Sequence, residues 1–253
     1  MSNLNSKIAV VTGGNSGIGF STAQELIARG AKVVITGRRQ DALDKAVKEL
    51  GPNATGILAD ASNLQHTDNL VKKVKDLYSN VDILFINAGI GHFFPLEGAT
   101  EQQFDAIMDT NFKGAYFTFT KFVPLLKDGG SVILLSSISA TTGMGNSSVY
   151  SASKAALNAL ARVAATELAP RKIRVNTVSP GPIDTPIVDK MGLDAATRDG
   201  FVSTITSRVP FKRLGASEEV AKLVAFLAGE DSAFISGTDY IIDGGISNNV
   251  VMA

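Results

Sequence analysis

Short β-branched runs alternate with amphipathic stretches almost from the first residue of this chain, and that alternation limits the folds open to it. Ile8-Ala-Val-Val-Thr12 precedes a helical pattern from Ile18 to Arg29, and Lys32-Val-Val-Ile-Thr36 follows. Helical patterns over Asp41–Leu50, Leu64–Tyr78, Glu101–Leu126, Ser148–Leu168 and Ser217–Leu227 separate further runs at Gly56–Ala59, Val81–Ile86, Ser131–Ser136, Lys172–Val178 and Tyr240–Ile242. Strands spaced by helices predict βαβ units, and seven strands in one series predict an α/β fold built on a doubly wound parallel sheet. No Pro/Gly/Ser-rich linker, repeat or low-complexity tract breaks the series, so residues 1–253 are read as one domain. The irregular part is Pro180–Arg213, where four prolines and scattered apolar residues (Ile187, Val188, Met191, Leu193, Phe201, Ile205) interrupt the rhythm. Such an insertion reads as a substrate loop, at about 182–213.

Twenty-four Lys and Arg balance twenty-four Asp and Glu, with no block of like charge, which argues against a nucleic-acid or membrane-surface partner. Cysteine is absent, so disulfides, thiolate metal sites and thiol nucleophiles are excluded, and two histidines, His66 and His92, argue against a multi-histidine metal site. No metal is expected. The first residues carry no apolar signal segment and no apolar run reaches the ~20 residues of a bilayer span, so the expected location is cytoplasmic.

Directly after the first strand stands Thr12-Gly13-Gly14-Asn15-Ser16-Gly17-Ile18-Gly19, opening a helix. Glycine permits the backbone angles and close approach of a tight turn, and the helix behind it aims unpaired N–H groups at a ligand such as a pyrophosphate. The second strand ends in Gly37-Arg38-Arg39. An acidic residue at this place receives the ribose hydroxyls of NAD, whereas an arginine suits a 2′-phosphate, so Arg38 and Arg39 point to NADP(H) with NAD(H) as the lesser alternative. The same pair could be a solvated start of a helix. Asp60 after the third strand and Asn87-Ala88-Gly89 after the fourth lie at carboxyl ends where ligands bind in open sheets, although Asp60 could equally cap a helix.

Tyr150 and Lys154 stand four apart in a helical pattern and share one face. An ammonium beside a phenol lowers its pKa toward the range of acid–base work. Together, Thr12-Gly13-x3-Gly17-Ile18-Gly19, Asn87-Ala88-Gly89, Asn111, Ser137, Tyr150-x3-Lys154, Pro180-Gly181 and Ile242-Asp-Gly-Gly245 resemble the short-chain dehydrogenase/reductase family, in order and approximate spacing, from about Lys7 to Gly245. The resemblance implies a Rossmann-type fold and a hydride transfer between nicotinamide and a ketone or secondary alcohol. It implies Tyr150 as general acid, Ser137 as hydrogen-bond partner of the carbonyl, Lys154 as ribose contact and modulator of Tyr150, and Asn111 as holder of a helix kink and a relay water. It further implies that Asp60 and Ala61 meet the adenine, Asn87 to Gly89 its ribose, and Pro180, Gly181, Ile183 and Thr185 the nicotinamide end. Strand alternation allows only one of Ser136 and Ser137 to face the site; the family's thirteen-residue interval to the tyrosine selects Ser137, with Ser139 a lesser candidate. A homotetramer through the two long helices and the last strand is also implied.

The substrate pocket is expected from Gly91, His92, Phe93 and Phe94, from Ala140, Thr142, Met144 and Val149, and from the loop after Pro180. These residues are largely apolar and favour an apolar ketone over an anionic substrate. His92 could be an ordinary loop residue, and Phe93 and Phe94 could merely pack their loop. A carbonyl reductase is the leading reading. A 3-oxoacyl-[acyl-carrier-protein] reductase ranks below it because Leu125–Ser131 offers one cation, Lys127, offset by Asp128, to an acidic carrier. A non-catalytic NADP(H)-sensing protein is the alternative of another class, and the full acid–base set disfavours it.

Overall fold

A computed structural model describes residues 3–185 and 194–248. Seven strands form one parallel sheet in the order β3-β2-β1-β4-β5-β6-β9: β1 (Ile8–Val11), β2 (Lys32–Gly37), β3 (Ala54–Leu58), β4 (Val81–Ile86), β5 (Leu126–Leu135), β6 (Arg174–Pro180) and β9 (Asp239–Ile242). Every residue of β1, β4 and β6 is buried, as expected of parallel strands covered on both faces. Side chains alternate between two cores. Val10, Val34, Leu84, Val132 and Val175 face α3 (Leu64–Tyr78), α5 (Gly114–Phe122) and α6 (Ser148–Glu167) through Leu70, Val74, Phe119, Phe122 and Leu157. Ala9, Val11, Val33, Ile35, Phe85 and Ile133 face α1 (Gly17–Ala28), α2 (Gln40–Leu50) and α8 (Ser217–Ala228) through Leu26, Leu43, Val220 and Val224. The chain reverses direction across the sheet between β1 and β4, and a crevice opens there beyond their carboxyl ends.

The helical stretch expected over Glu101–Leu126 is not one helix. It divides into α4 (Glu101–Met108), a π turn over Asp109–Lys113 and α5, and a 3-10 turn over Val123–Leu125 then hands the chain to β5. Pro124 cannot donate to a continuing helix, and Asn111 is tied to another loop. The irregular part also holds more structure than expected. A short parallel pair, β7 (Ile183–Asp184) with β8 (Gly215–Ala216), closes its base, and α7 (Ala195–Arg208) lies within it. Ile187, Val188, Met191 and Leu193 lie outside the described residues, as does the side chain of Phe201. No helix among the described residues is long and apolar enough to cross a membrane.

Candidate active site

The glycine-rich turn is held in place from the neighbouring strands. Thr12 Oγ1 accepts the backbone N–H groups of Asn87 and Ala88 at 2.9 and 3.0 Å, and Asn87 Nδ2 donates to the carbonyls of Thr12 and Gly13 at 2.9 and 3.1 Å. Gly13 adopts φ +64°, and its N–H donates to Thr36 Oγ1. A side chain on Gly19 would meet the Gly13 carbonyl at 2.4 Å, so Gly19 lets α1 close onto the turn but does not line the crevice. Ser16, the residue preceding α1, makes no side-chain cap, which leaves the first amides of that helix available to an anion.

Beyond the turn lies a cleft of about 400 Å³. Gly13, Asn15, Ser16, Gly17 and Ile18 form one side, Arg38, Asp60 and Ala61 one end, and Asn87, Ala88 and Gly89 the floor toward Thr185. Arg38 is exposed and has no hydrogen-bond or ion-pair partner among the described residues. Arg39 is exposed too, but it precedes α2 away from the cleft, which corrects its expected place beside Arg38. Asp60 is not a helix cap. That position belongs to Asn63, whose side chain accepts from Gln65 and His66, while Asp60 Oδ1 receives Ser62 N–H and Oγ. His66 Nδ1 in turn accepts the Asp60 N–H at 3.2 Å, a support the sequence did not single out.

A second hollow of about 140 Å³ shares Ile18, Asn87, Gly89, Leu135 and Thr185 with the first and continues it. Ser137, Tyr150, Lys154, Pro180, Gly181 and Ile183 line it. Ser137 and Tyr150 face the same hollow, and Ser137 stands close enough to act on the Tyr150 phenol. Ser136 also lines this hollow, and its hydroxyl donates to the Lys154 carbonyl at 3.1 Å. Ser139 is buried, its N–H donating to Ser137 Oγ and its own hydroxyl without a partner. Lys154 Nζ lies 5.7 Å from the Tyr150 ring centroid and donates to the Leu135 carbonyl at 2.8 Å. Burial lowers the Lys154 ammonium to about 8. Burial also pushes the Tyr150 phenol up, against the opposing effect of Ser137. The net direction at Tyr150 is therefore upward, contrary to the depression expected from Lys154, because desolvation dominates.

Asn111 stands behind this wall, not in it. Its Oδ1 accepts Ile90 N–H at 2.8 Å, and its Nδ2 donates to the Ile90 carbonyl at 2.9 Å and to Ser153 Oγ at 3.2 Å. The π turn of the chain brings it there. Of the expected pocket residues, Gly91 and His92 line the larger cleft, and Phe93 meets the Tyr150 ring edge-on with centroids 5.5 Å apart. Phe94, Ala140, Thr142, Met144 and Val149 line neither hollow; Phe94 N–H is engaged by the Asn146 carbonyl, and Val149 is buried. The sequence reading missed Thr36, Ile90, Thr110 and Leu135, which act through backbone support or as plain walls, and gave Thr12 no role beyond its place in the motif. No cluster of potential metal ligands occurs among the described residues.

The family described as enoyl-(acyl carrier protein) reductase matches residues 13–247. Oxidoreductase asL5 of Sarocladium schorii is 41% identical over 246 residues, covering 96% of this chain and 97% of that protein. Dehydrogenase/reductase SDR family member 4 of Homo sapiens is 36% identical over 248 residues, covering 96% of this chain and 88% of its own. Among solved structures, a short-chain dehydrogenase/reductase of Brucella melitensis, described as a glucose/ribitol dehydrogenase, superimposes with a TM-score of 0.91 at 30% identity, over 97% of this chain and 98% of that one. The ligand-free aldohexose dehydrogenase of Thermoplasma acidophilum gives a TM-score of 0.89 at 30% identity, over 100% and 98% of the two chains.

Proposed function

The chain belongs to the short-chain dehydrogenase/reductase family of NAD(P)-dependent oxidoreductases, and from that premise we propose that it is an NADPH-dependent reductase of apolar ketones, working as a homotetramer. The observation that carries this reading is the grouping of Ser137, Tyr150 and Lys154 in one hollow at the inner end of a cleft whose outer end holds an unpaired Arg38. The residues present fit the cofactor: the turn at Gly13 and Gly17 presents backbone alone, the amides of α1 are uncapped, and Arg38 is free to meet a 2′-phosphate. Asp60 and Ala61 would flank the adenine, Asn87 to Gly89 its ribose, and Pro180, Gly181, Ile183 and Thr185 the nicotinamide. When bound, NADPH supplies the hydride.

Ser137 then holds the substrate carbonyl oxygen while Tyr150 donates a proton to it as negative charge develops. Burial favours the protonated phenol, which is the state a donor needs. The Lys154 ammonium, beside the Tyr150 ring, would meet the nicotinamide ribose, and the π turn around Asn111 keeps Ile90 and the adjoining wall in register for a relay water. Ile90, Leu135, Pro180 and Ile183, with Phe93 against Tyr150, make the inner wall apolar, which supports a hydrophobic ketone over a sugar. Lys127, the cation of the 125–131 segment, is paired with Asp82, and Asp128 with Arg171, so little free positive charge remains there for an acidic carrier protein.

Loss of NADPH absorbance with a panel of aryl ketones, a β-ketoacyl thioester and an aldose tests the reading. Aryl ketones are expected to give the highest kcat/KM, and a higher value for either of the others overturns the substrate class. Tyr150→Phe should lower kcat by at least ~10²-fold with NADPH binding retained. More than about a tenth of the parent kcat in a folded variant would remove Tyr150 as the proton donor.

A further inference from the structure

The closing Ile242-Asp-Gly-Gly245 segment lies outside the steps above, yet it packs both against Gly181, where the crevice wall begins, and against Val209–Pro210, at the other end of the intervening chain. At the near end, Gly181 N–H donates to the Ile242 carbonyl at 2.9 Å, and a side chain on Gly181 would meet Asp243 Cβ at 2.6 Å and Cα at 2.8 Å. At the far end, Gly244 (φ +63°) leaves so little room that a side chain there would meet Val209 Cγ1 at 2.8 Å, while one on Gly245 (φ +87°) would come within 3.3 Å of Pro210. Both glycines hold left-handed angles that other residues adopt only under strain. The two ends are also joined to each other, because Gly215 N–H donates to the Pro182 carbonyl at 3.0 Å where β7 meets β8.

Asp243 fixes the shape of this turn. Its Oδ1 accepts Gly245 N–H at 2.8 Å, and its Oδ2 accepts Ser247 N–H at 2.9 Å and Ser247 Oγ at 2.5 Å. Three donors on one carboxylate hold the backbone that abuts Gly181 and Val209. We infer that Asp243 is a positioning residue: through the Asp243–Ser247 turn it clamps Gly181 and Val209–Pro210, and so sets the wall formed by Gly181, Ile183 and Thr185 opposite Tyr150. The inference deepens the function proposed above. Its kinetic arm rests on that reading, and its exchange arm does not.

Amide hydrogen exchange of the free protein is the first readout. In Asp243→Ala the amides of Gly181 and Gly215 should exchange at least about tenfold faster, with Gly14, whose N–H is held by Thr36 at the distant turn, unchanged. In the kinetic arm, KM for NADPH should rise about tenfold while inhibition by adenosine 2′,5′-bisphosphate, which reports only the adenosine end, stays within about twofold. Asp243→Glu, which keeps the carboxylate, should recover part of both effects. Unchanged exchange at Gly181 and Gly215 in folded Asp243→Ala overturns the inference. So does an equal acceleration at Gly14, which would mark a general loss of stability. If Asp243→Ala does not fold, Ser247→Ala removes the Ser247 hydroxyl donor alone and decides the question on the same amides. Failure of the bisphosphate to bind the parent protein would count against the NADPH reading, with the exchange arm still deciding the clamp.

Discussion

Lys154 is a cation buried almost completely, with the Leu135 carbonyl as its hydrogen-bond acceptor, and a site of this kind costs stability for the sake of chemistry. Its folded pKa of about 8 lies below the ordinary 10.5, so the folded state holds this proton less tightly than the unfolded chain. The cost is therefore complete below pH 8 and fades as pH rises from about 8 to 10.5, the window in which the unfolded state binds more protons. The shift corresponds to roughly 3 kcal/mol at neutral pH, against about 1 kcal/mol for the hydrogen bond to Leu135. Lys154→Met should accordingly be at least as stable as the parent to urea at pH 7 while losing ketone reduction, and its advantage should shrink toward pH 10; a variant less stable at pH 7 would contradict the calculation. Arg38 presents the opposite case of an exposed, unpaired cation whose worth lies in what it binds. One charge-assisted bond contributes roughly 1.5 to 3 kcal/mol, so Arg38→Ala should raise KM for NADPH about tenfold to a hundredfold and leave NADH kinetics nearly unchanged. Gly37→Asp should move preference toward NADH only together with a shift of Asn15, because a side chain on Gly37 would meet Asn15 Oδ1 at 2.9 Å. Equal kcat/KM for the two cofactors in the parent enzyme would leave Arg38 without a role in selection.

At the scale of elements, the stretch from Glu101 to Phe122 shows how far local pattern reaches. The apolar period spans it without a break, yet the helix opens into a π turn at Asp109–Lys113. The constraints that mark this place are distant in sequence. Asn111 is bonded to Ile90 and Ser153, and Gly114 lies so close to the chain after β3 that a side chain there would meet the Ala61 carbonyl at 2.2 Å. Gly114→Ala should thus cost about 1 to 3 kcal/mol by overpacking and displace Ala61 at the cleft. Urea unfolding with a midpoint unchanged from the parent would show that α5 can move aside freely. Tyr150 and Lys154 were legible in the sequence because one helix turn separates them, and the glycine turn because it joins directly to β1. Ser137 was legible over Ser136 only through the family's interval to the tyrosine, and strand alternation could not decide it because both serines lie just past β5 and line the inner hollow. Less could be read where a role depends on packing between segments: Gly19 serves the closure of α1, Arg39 leaves the cleft as α2 begins, and the Lys154 ammonium is drawn to Leu135. The β7–β8 pair escaped notice because two-residue strands leave no periodic signal.

For the whole molecule, a closed tetramer needs two kinds of contact, and two of the regions where apolar side chains are exposed among the described residues suit them. One region is the outer side of α4, α5 and α6, where Phe104, Tyr116 and Val163 are exposed. Ala152 and Ala159 add small exposed residues on α6, whereas Ala164 packs into the core. The other region is at the sheet edge, where β9 has a neighbour on one side only and Ile241 and a fully exposed Phe234 flank it. A helix face and a strand edge can each pair with their own copy about a two-fold axis, and two such isologous contacts on one chain generate a dihedral tetramer. Sedimentation of the parent at micromolar concentration should give four times the 26.5 kDa of one chain. Phe234→Asp combined with Ile241→Glu places charge on the sheet-edge contact alone, so it should give a dimer that persists through the helix face. These substitutions lie outside the crevice, and the dimer should retain the folded core and bind NADPH. A parent protein that sediments as a single 26.5 kDa chain would exclude both contacts, and a double variant that remains tetrameric would exclude the strand edge as one of them.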